Sequence, residues 1–417
     1  MMRRRSVVVA VWLTRISVSP RITNGSAPKA IDGQQWCNAE PVESKQWLHS
    51  KSQCHASRFL GRDQRGLLLE SFCRGRHRRE GIVKRLGIYN SWDSESKLLT
   101  EVEKGWDRYC EEIWSPRRRA LEAYAEGGDP YPILPGLEHT PELVAVNVSQ
   151  SLTCAGYEYA QVARILFSHA TDTAWEPLLG KSWGYEYWRT RISHYHEIGT
   201  VRTDRSISFT QAVASLVACL CAGWMKEARI LTEEIKILYK RRRFFGVLQQ
   251  PLYQWIFRVC LDDAELSLDE NSDGEGDFKI SEPVLDELLK HWRDQDLAPM
   301  QDYVIWLCDY YTHRTRRSDW HEFQNDLLLT RFPALILAWQ RLREIRGLGN
   351  PFIDHPLMQP AYARLRPAMP FYTDSVLEAT LARLRREGMP DLGAVRQLSP
   401  TANAEKRGLL ARLFGRI

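Results

Sequence analysis

Several things are missing from this 417-residue sequence. No stretch approaches the ~20 consecutive apolar residues of a membrane helix. None of the nine cysteines (Cys37, Cys54, Cys73, Cys110, Cys154, Cys219, Cys221, Cys260 and Cys308) belongs to a Cys-x-x-Cys pair. An odd, scattered set of this kind argues against a disulfide framework or a zinc ribbon. It fits buried free thiols in a reducing compartment. No Gly-x-Ser-x-Gly elbow, glycine-rich phosphate loop or His-Glu-x-x-His helix occurs, so no motif names a reaction. Strand-type alternation bounded by turn residues is also absent.

What is present is unevenly distributed. The formal charge of +5 divides into two unlike parts. Residues 1–90 hold 17 Lys and Arg against 6 Asp and Glu, whereas residues 91–417 hold 40 against 46. A basic leader therefore precedes a mildly acidic body, and nucleic acid is not the expected partner of the body. Arg3, Arg4 and Arg5 followed by the apolar run 7–13 have the outline of a secretory signal, and the acid-poor start also suits an organellar transit peptide within residues 1–30. The reading adopted is an unstructured leader, or translation begun upstream, on a cytoplasmic protein.

From residue 94 the pattern becomes helical. Leu98, Val102 and Trp106 form one stripe, and Ser115-Pro116 reads as a helix start. Four prolines between 129 and 141 mark a loop, and 157–169 reads as a helix. Residues 174–206, crowded with Trp and Tyr, read as an irregular connection holding one helix. Residues 207–221, the Gly223 break and the seam of Ala228, Leu231, Ile235 and Leu238 form an αα-hairpin. Further helices are expected from Pro251, over 284–292, over 302–312, over 321–346 with a kink or split at Pro333, and over 374–386.

The expected fold is all-α, an irregular bundle or array of αα-hairpins. Its expected segments are a low-structure leader at 1–93, an N-terminal helical lobe at 94–268, an acidic linker at 269–281, a C-terminal helical lobe at 282–392 and a basic amphipathic tail at 393–417. In the tail, Leu409, Leu410, Leu413, Phe414 and Ile417 share one face.

The acidic segment supplies the most specific local pattern. Asp269, Asn271 and Asp273 alternate as oxygen ligands, Gly274 allows the turn, and Asp277 suits the ninth place of a calcium loop. The twelfth place is Ile280 where a bidentate Glu belongs, so any Ca2+ site here is weak. The competing use of these carboxylates is attraction of a basic partner, through Asp262, Asp263, Glu265, Asp269, Glu270 and Asp273. His194 and His196 would lie on one side of an extended segment, and Asp354-His355 and Asp319-Trp-His321-Glu322 pair acid with imidazole. A hydrolase would need such a pair in a deep pocket beside a nucleophile. Arg341, Arg343 and Arg346 read as cations at a helix C-terminus. Residues 332–358 are the most distinctive text. They read as a capped helix leading into a buried turn with His355 bonded to backbone.

Two resemblances follow. The hairpin sequence from Ala214 to Ala228 resembles a tetratricopeptide-type hairpin, over one repeat and with no second copy at that period. Across about 94–390 the Trp-rich, acidic, motif-poor helical character resembles bacterial immunity proteins of polymorphic-toxin and type VI secretion systems. That resemblance implies a non-catalytic protein that neutralises a cognate, cationic toxin by steric occlusion, with no cofactor. The rival expectations are a helical-repeat scaffold or adaptor and a hydrolase-type enzyme.

Overall fold

The computed structural model describes residues 83–129, 141–169, 174–199, 207–245, 250–268, 282–315, 323 and 331–395, all within one compact unit, Gly81–Ile417. Among them are eleven α-helices and two strands of two residues each, so the chain is all-α. The helices are α1 (Glu95–Tyr109), α2 (Ser115–Ala125), α3 (Pro141–His169), α4 (Trp175–Gly199), α5 (Phe209–Ala222), α6 (Met225–Lys240), α7 (Pro251–Asp263), α8 (Pro283–His291), α9 (Gln301–His313), α10 (Ala334–Ile345) and α11 (Ser375–Arg386). Strands β1 (Ile207–Ser208) and β2 (Phe244–Phe245) pair in parallel beside the α5–α6 hairpin.

Helix α5 is the centre. Beyond Thr210 and Gln211 its sequence is almost wholly apolar, and α4, α6, α7 and α10 all pack against it. Ser208 caps its start by accepting from the Gln211 amide at 3.4 Å, and Gly223 ends it in the left-handed conformation at φ +78°. That conformation costs a residue with a Cβ about 1–2 kcal/mol, so the break at Gly223 is dictated locally. In α6 the expected seam of Ala228, Leu231, Ile235 and Leu238 is buried.

Helices α3 and α4 form a long antiparallel pair, with Ser149 opposite Ser193 and Tyr159 opposite Tyr185. Helix α4 corrects the expected irregular connection: residues 175–199 are one continuous helix. Trp175, Trp183, Tyr185, Tyr187, Ile192 and Tyr195 are all buried, so no polar face existed to reveal a 3.6-residue period. Two other expectations are refined. Helix α2 starts at Ser115-Pro116 as expected, but Ser115 does not cap it: Trp114 holds the flanking position without a side-chain bond, and a π-helical turn, Cys110–Trp114, leads in from α1. Of the two effects expected of Pro333, a kink or a split, the second fits: Pro333 stands at the N-terminal flank of α10, and residues 324–330 lie outside the described ones.

The two segments expected as separate lobes share one core. Helix α10 packs on α5 and α7, and α11 packs on α2. Residues 84–93, expected in the leader, are also part of this body. Arg85, Gly87 and Tyr89 bond to Asp309 and Thr312 of α9, and Asp93 accepts from Arg331. The amphipathic face around Leu409 and the calcium-loop residues Asp269, Asn271, Asp273 and Asp277 lie outside the described residues, as does Glu270.

Candidate interaction surface

Two of the expected partner-binding acids, Asp262 and Asp263, are occupied within the chain. Asp262 accepts from Trp292 Nε1 at 2.7 Å and lies 2.9 Å from Arg293 Nε. Asp263 accepts from Arg346 Nε at 2.7 Å, and that bond holds the Arg346 guanidinium above its ordinary range. These pairs tie the end of α7 to α8 and α10. Glu265 is exposed, on a left-handed backbone at φ +56°.

The imidazoles separate into sealed pairs. His194 and His196 sit on helix α4, not on an extended segment, so about 200° of helical rotation divides them. His194 Nδ1 lies 3.0 Å from Glu234 Oε2, which also lies 3.1 Å from Arg191 Nε. All three side chains are at most 2 % exposed. His355 Nε2 donates to Asp309 Oδ1 at 3.2 Å, and both side chains are fully buried. His321 lies outside the described residues. No imidazole lines the narrow crevice bounded by Trp175, Trp183, Phe332 and Tyr362. Among the described residues no group of three His, Cys, Asp or Glu is placed to hold a metal.

One apolar feature faces the other way. Phe352 is 83 % exposed, the highest exposure of any large hydrophobic residue among the described ones, and Ile345 is 50 % exposed nearby in sequence. The turn that carries Phe352 is built rigidly. Gly347, at φ +70°, ends α10 with the Leu348 amide donating to Arg343 O at 2.9 Å and its own amide to Glu344 O at 3.0 Å. That is a complete Schellman closure. Gln301 Nε2 donates to Phe352 O and Asn350 Nδ2 to Gln340 O, each at 3.0 Å.

Two buried polar side chains lock the turn from below. The Arg343 side chain, expected as a helix-end cation, is fully buried and works as a clamp. Its Nη1 donates to Trp292 O at 2.5 Å, its Nη2 to Asp294 O at 3.0 Å and its Nε to Gly349 O at 3.2 Å. His355 bonds to backbone as expected: the Leu357 amide donates to its Nδ1 at 3.0 Å and caps the 3-10 turn Pro356–Met358. Burial pushes the imidazole below its usual value against the opposing pull of Asp309. Nδ1 accepts and Nε2 donates, so the neutral tautomer is assigned by its two partners.

Exposed acids lie on the segments joined to this turn: Asp354 is two residues beyond Phe352, and Asp302 follows Gln301, which bonds to Phe352 O. Asp296, Asp302 and Asp354 are exposed, and no described cation pairs with them. The neighbouring cations Arg293 and Arg346 are engaged by Asp262 and Asp263. An exposed aromatic on a stiff support is the geometry of an anchor that inserts into a partner. Nothing in the sequence signalled it, since a lone Phe between Pro351 and Ile353 reads as core by default.

Comparison of the chain with protein families, curated proteins and solved structures returns no match.

Proposed function

We propose that this chain is a non-catalytic protein-binding protein that inserts Phe352 into a basic partner. The observation that carries the reading is Phe352 itself, 83 % exposed on a turn whose supports, Arg343 and His355, are buried. Rigid aromatic anchors contribute most where little side-chain freedom is lost on binding. The exposed carboxylates of Asp302 and Asp354 favour a cationic surface and speed encounter with it. The specific form of this reading is an immunity protein that occludes a cationic toxin.

Sealing of the His194 and His355 pairs speaks against the hydrolase alternative, since no substrate atom reaches either imidazole without opening the core. The arrangement of α4, α6, α7 and α10 around α5 speaks against a one-dimensional repeat array, whose repeats touch only their neighbours.

The test is binding by the full chain to the purified product of the adjacent gene, measured by calorimetry for the natural chain and for Phe352→Ala. A complex weakened about 30-fold by the substitution, at unchanged melting temperature, is the expected result, because loss of an anchor costs about 2 kcal/mol. An adjacent product with no toxin character would remove the immunity form. A tight complex indifferent to Phe352→Ala would remove the proposed surface.

A further inference from the structure

We infer that residues 85–89 are a detachable brace for the Phe352 turn, joined to it through the buried carboxylate of Asp309. This goes beyond the binding role, since it concerns what holds the turn in place.

Four donors from two segments converge on that carboxylate. Arg85 Nε and the Gly87 amide donate to Oδ2 at 3.2 and 3.0 Å. Arg85 Nη2 and His355 Nε2 donate to Oδ1 at 3.3 and 3.2 Å. Asp309 therefore reads two elements at once: the N-terminal brace on one side and the turn capped by His355 on the other. The brace is further held by the Tyr89 amide donating to Thr312 Oγ1 and by His313 Nε2 donating to Gly87 O, each at 2.9 Å.

The brace is built to come off. It has no helix or strand of its own; Arg85, Gly87 and Tyr89 bond to polar groups of α9, and the Tyr89 ring lies 5.5 Å from that of His313. Its aliphatic side chains point outward, Leu86 being 47 % and Ile88 38 % exposed. A segment that buries little apolar surface sits at the low end of local stability and opens without the core.

Release would strip Asp309 of three of its four donors. The remaining donor is His355, and a buried carboxylate left with one neutral partner draws a proton or water to itself. The groups that face His355 are Asp309, Arg85 and Asp354. If the imidazole takes the proton, Nδ1 becomes a donor and no longer accepts from the Leu357 amide, so the cap of the 3-10 turn is lost. If water enters instead, the bond that orients the ring is shared with solvent. Either way the support beneath Phe352 loosens. Brace docking and turn order are then linked, and by reciprocity anything that grips the turn tightens the brace.

Hydrogen exchange on the full chain tests this without any partner, so its failure is separate from failure of the binding role. The variants are Arg85→Ala and Arg85→Glu, the second placing like charge opposite Asp309 at a half-exposed position. The expected result is exchange at least tenfold faster at both the Tyr89 and the Leu357 amides, with the α5 amides, such as that of Leu216, unchanged. A released brace with Leu357 still protected would show that Asp309 transmits nothing. A Tyr89 amide that stays protected in Arg85→Glu would show that Asp309 is not the hold. Loss of protection at Leu216 would show that the brace is part of the cooperative core. Each of these three results overturns the inference.

Discussion

Gly223 faces Ala368 so closely that a Cβ added to the glycine would lie 2.4 Å from the methyl carbon of the alanine. The contact places the segment 361–370 over the hairpin turn between α5 and α6. Two bonds reinforce it: the Met369 amide donates to Ala222 O and Trp224 Nε1 donates to Met369 O, both at 2.9 Å. Local backbone preference and tertiary packing therefore demand the same residue at the same position.

Gly223→Ala should accordingly destabilise the chain by about 3 kcal/mol, adding left-handed strain to overpacking. Gly347→Ala is the control. That glycine is also left-handed, at φ +70°, but has nothing within 4 Å of the added Cβ. It should cost about 1 kcal/mol, the strain alone. Urea unfolding of the two variants separates the contributions, and equal losses would remove the packing argument.

Glu234 is the only carboxylate within 4 Å of the buried Arg191 side chain among the described ion pairs, and it also meets His194. Glu234→Ala leaves that guanidinium buried without its counter-charge, a loss of about 3–5 kcal/mol. Replacing both members, Arg191→Met with Glu234→Leu, should recover much of the loss, because the pair's desolvation cost disappears with its attraction. A double variant no more stable than Glu234→Ala would mean that the other bonds of Arg191, to Tyr187 and the Ala394 carbonyl, carry the stability instead.

These residues mark where the sequence was readable. The α5–α6 hairpin was legible because Gly223 and the Ala228 to Leu238 seam act locally, through backbone conformation and one buried face. The same holds for α7, opened by Pro251, and for α11, where Asp374 Oδ1 accepts from the Leu377 amide at 2.8 Å. Helix α4 was not legible, since burial on nearly all sides erases the periodicity that distinguishes a helix. Arg343 was misread for a different reason. Its partners are carbonyls of Trp292, Asp294 and Gly349, and a carbonyl leaves no trace in the identity of the residue that bears it. Phe352 was missed because exposure of an apolar side chain depends on what the rest of the chain fails to cover.

Arg343→Lys tests the clamp. An ammonium carries donors but no planar fork, so it cannot reach three carbonyls at once. At least one buried carbonyl loses its partner, at about 1–3 kcal/mol. The loss should concentrate in the turn, with amide exchange rising at 347–352 before the α5–α6 hairpin responds. A uniform rise across both regions would mean that Arg343 supports the whole core.

The thiols should be inert in the folded state. Burial raises Cys219, Cys260 and Cys308 well above the ordinary thiol range and pushes Cys221 up to about 12. The thiolate is the reactive form, so a neutral disulfide reagent at pH 8 should find none of these four until denaturant is added. Rapid labelling of any of them in the native chain would show that the core around α5 opens.

His355 gives stability a pH dependence with a definite sign. In the folded chain its affinity for a proton is lowered by burial, whereas the unfolded chain titrates near the usual 6.5. The contribution is complete above about pH 6.5, where neither state is protonated at this residue. As pH falls below that value the unfolded state takes up a proton that the folded state refuses, and stability declines. The decline ends once pH passes the lowered folded value, because both states are then protonated. Chemical unfolding at a series of pH values below 7 should therefore show a loss that His355→Asn reduces, even though the variant is less stable overall. An identical slope in both proteins would assign the acid sensitivity to other groups and leave the Asp309 junction indifferent to pH.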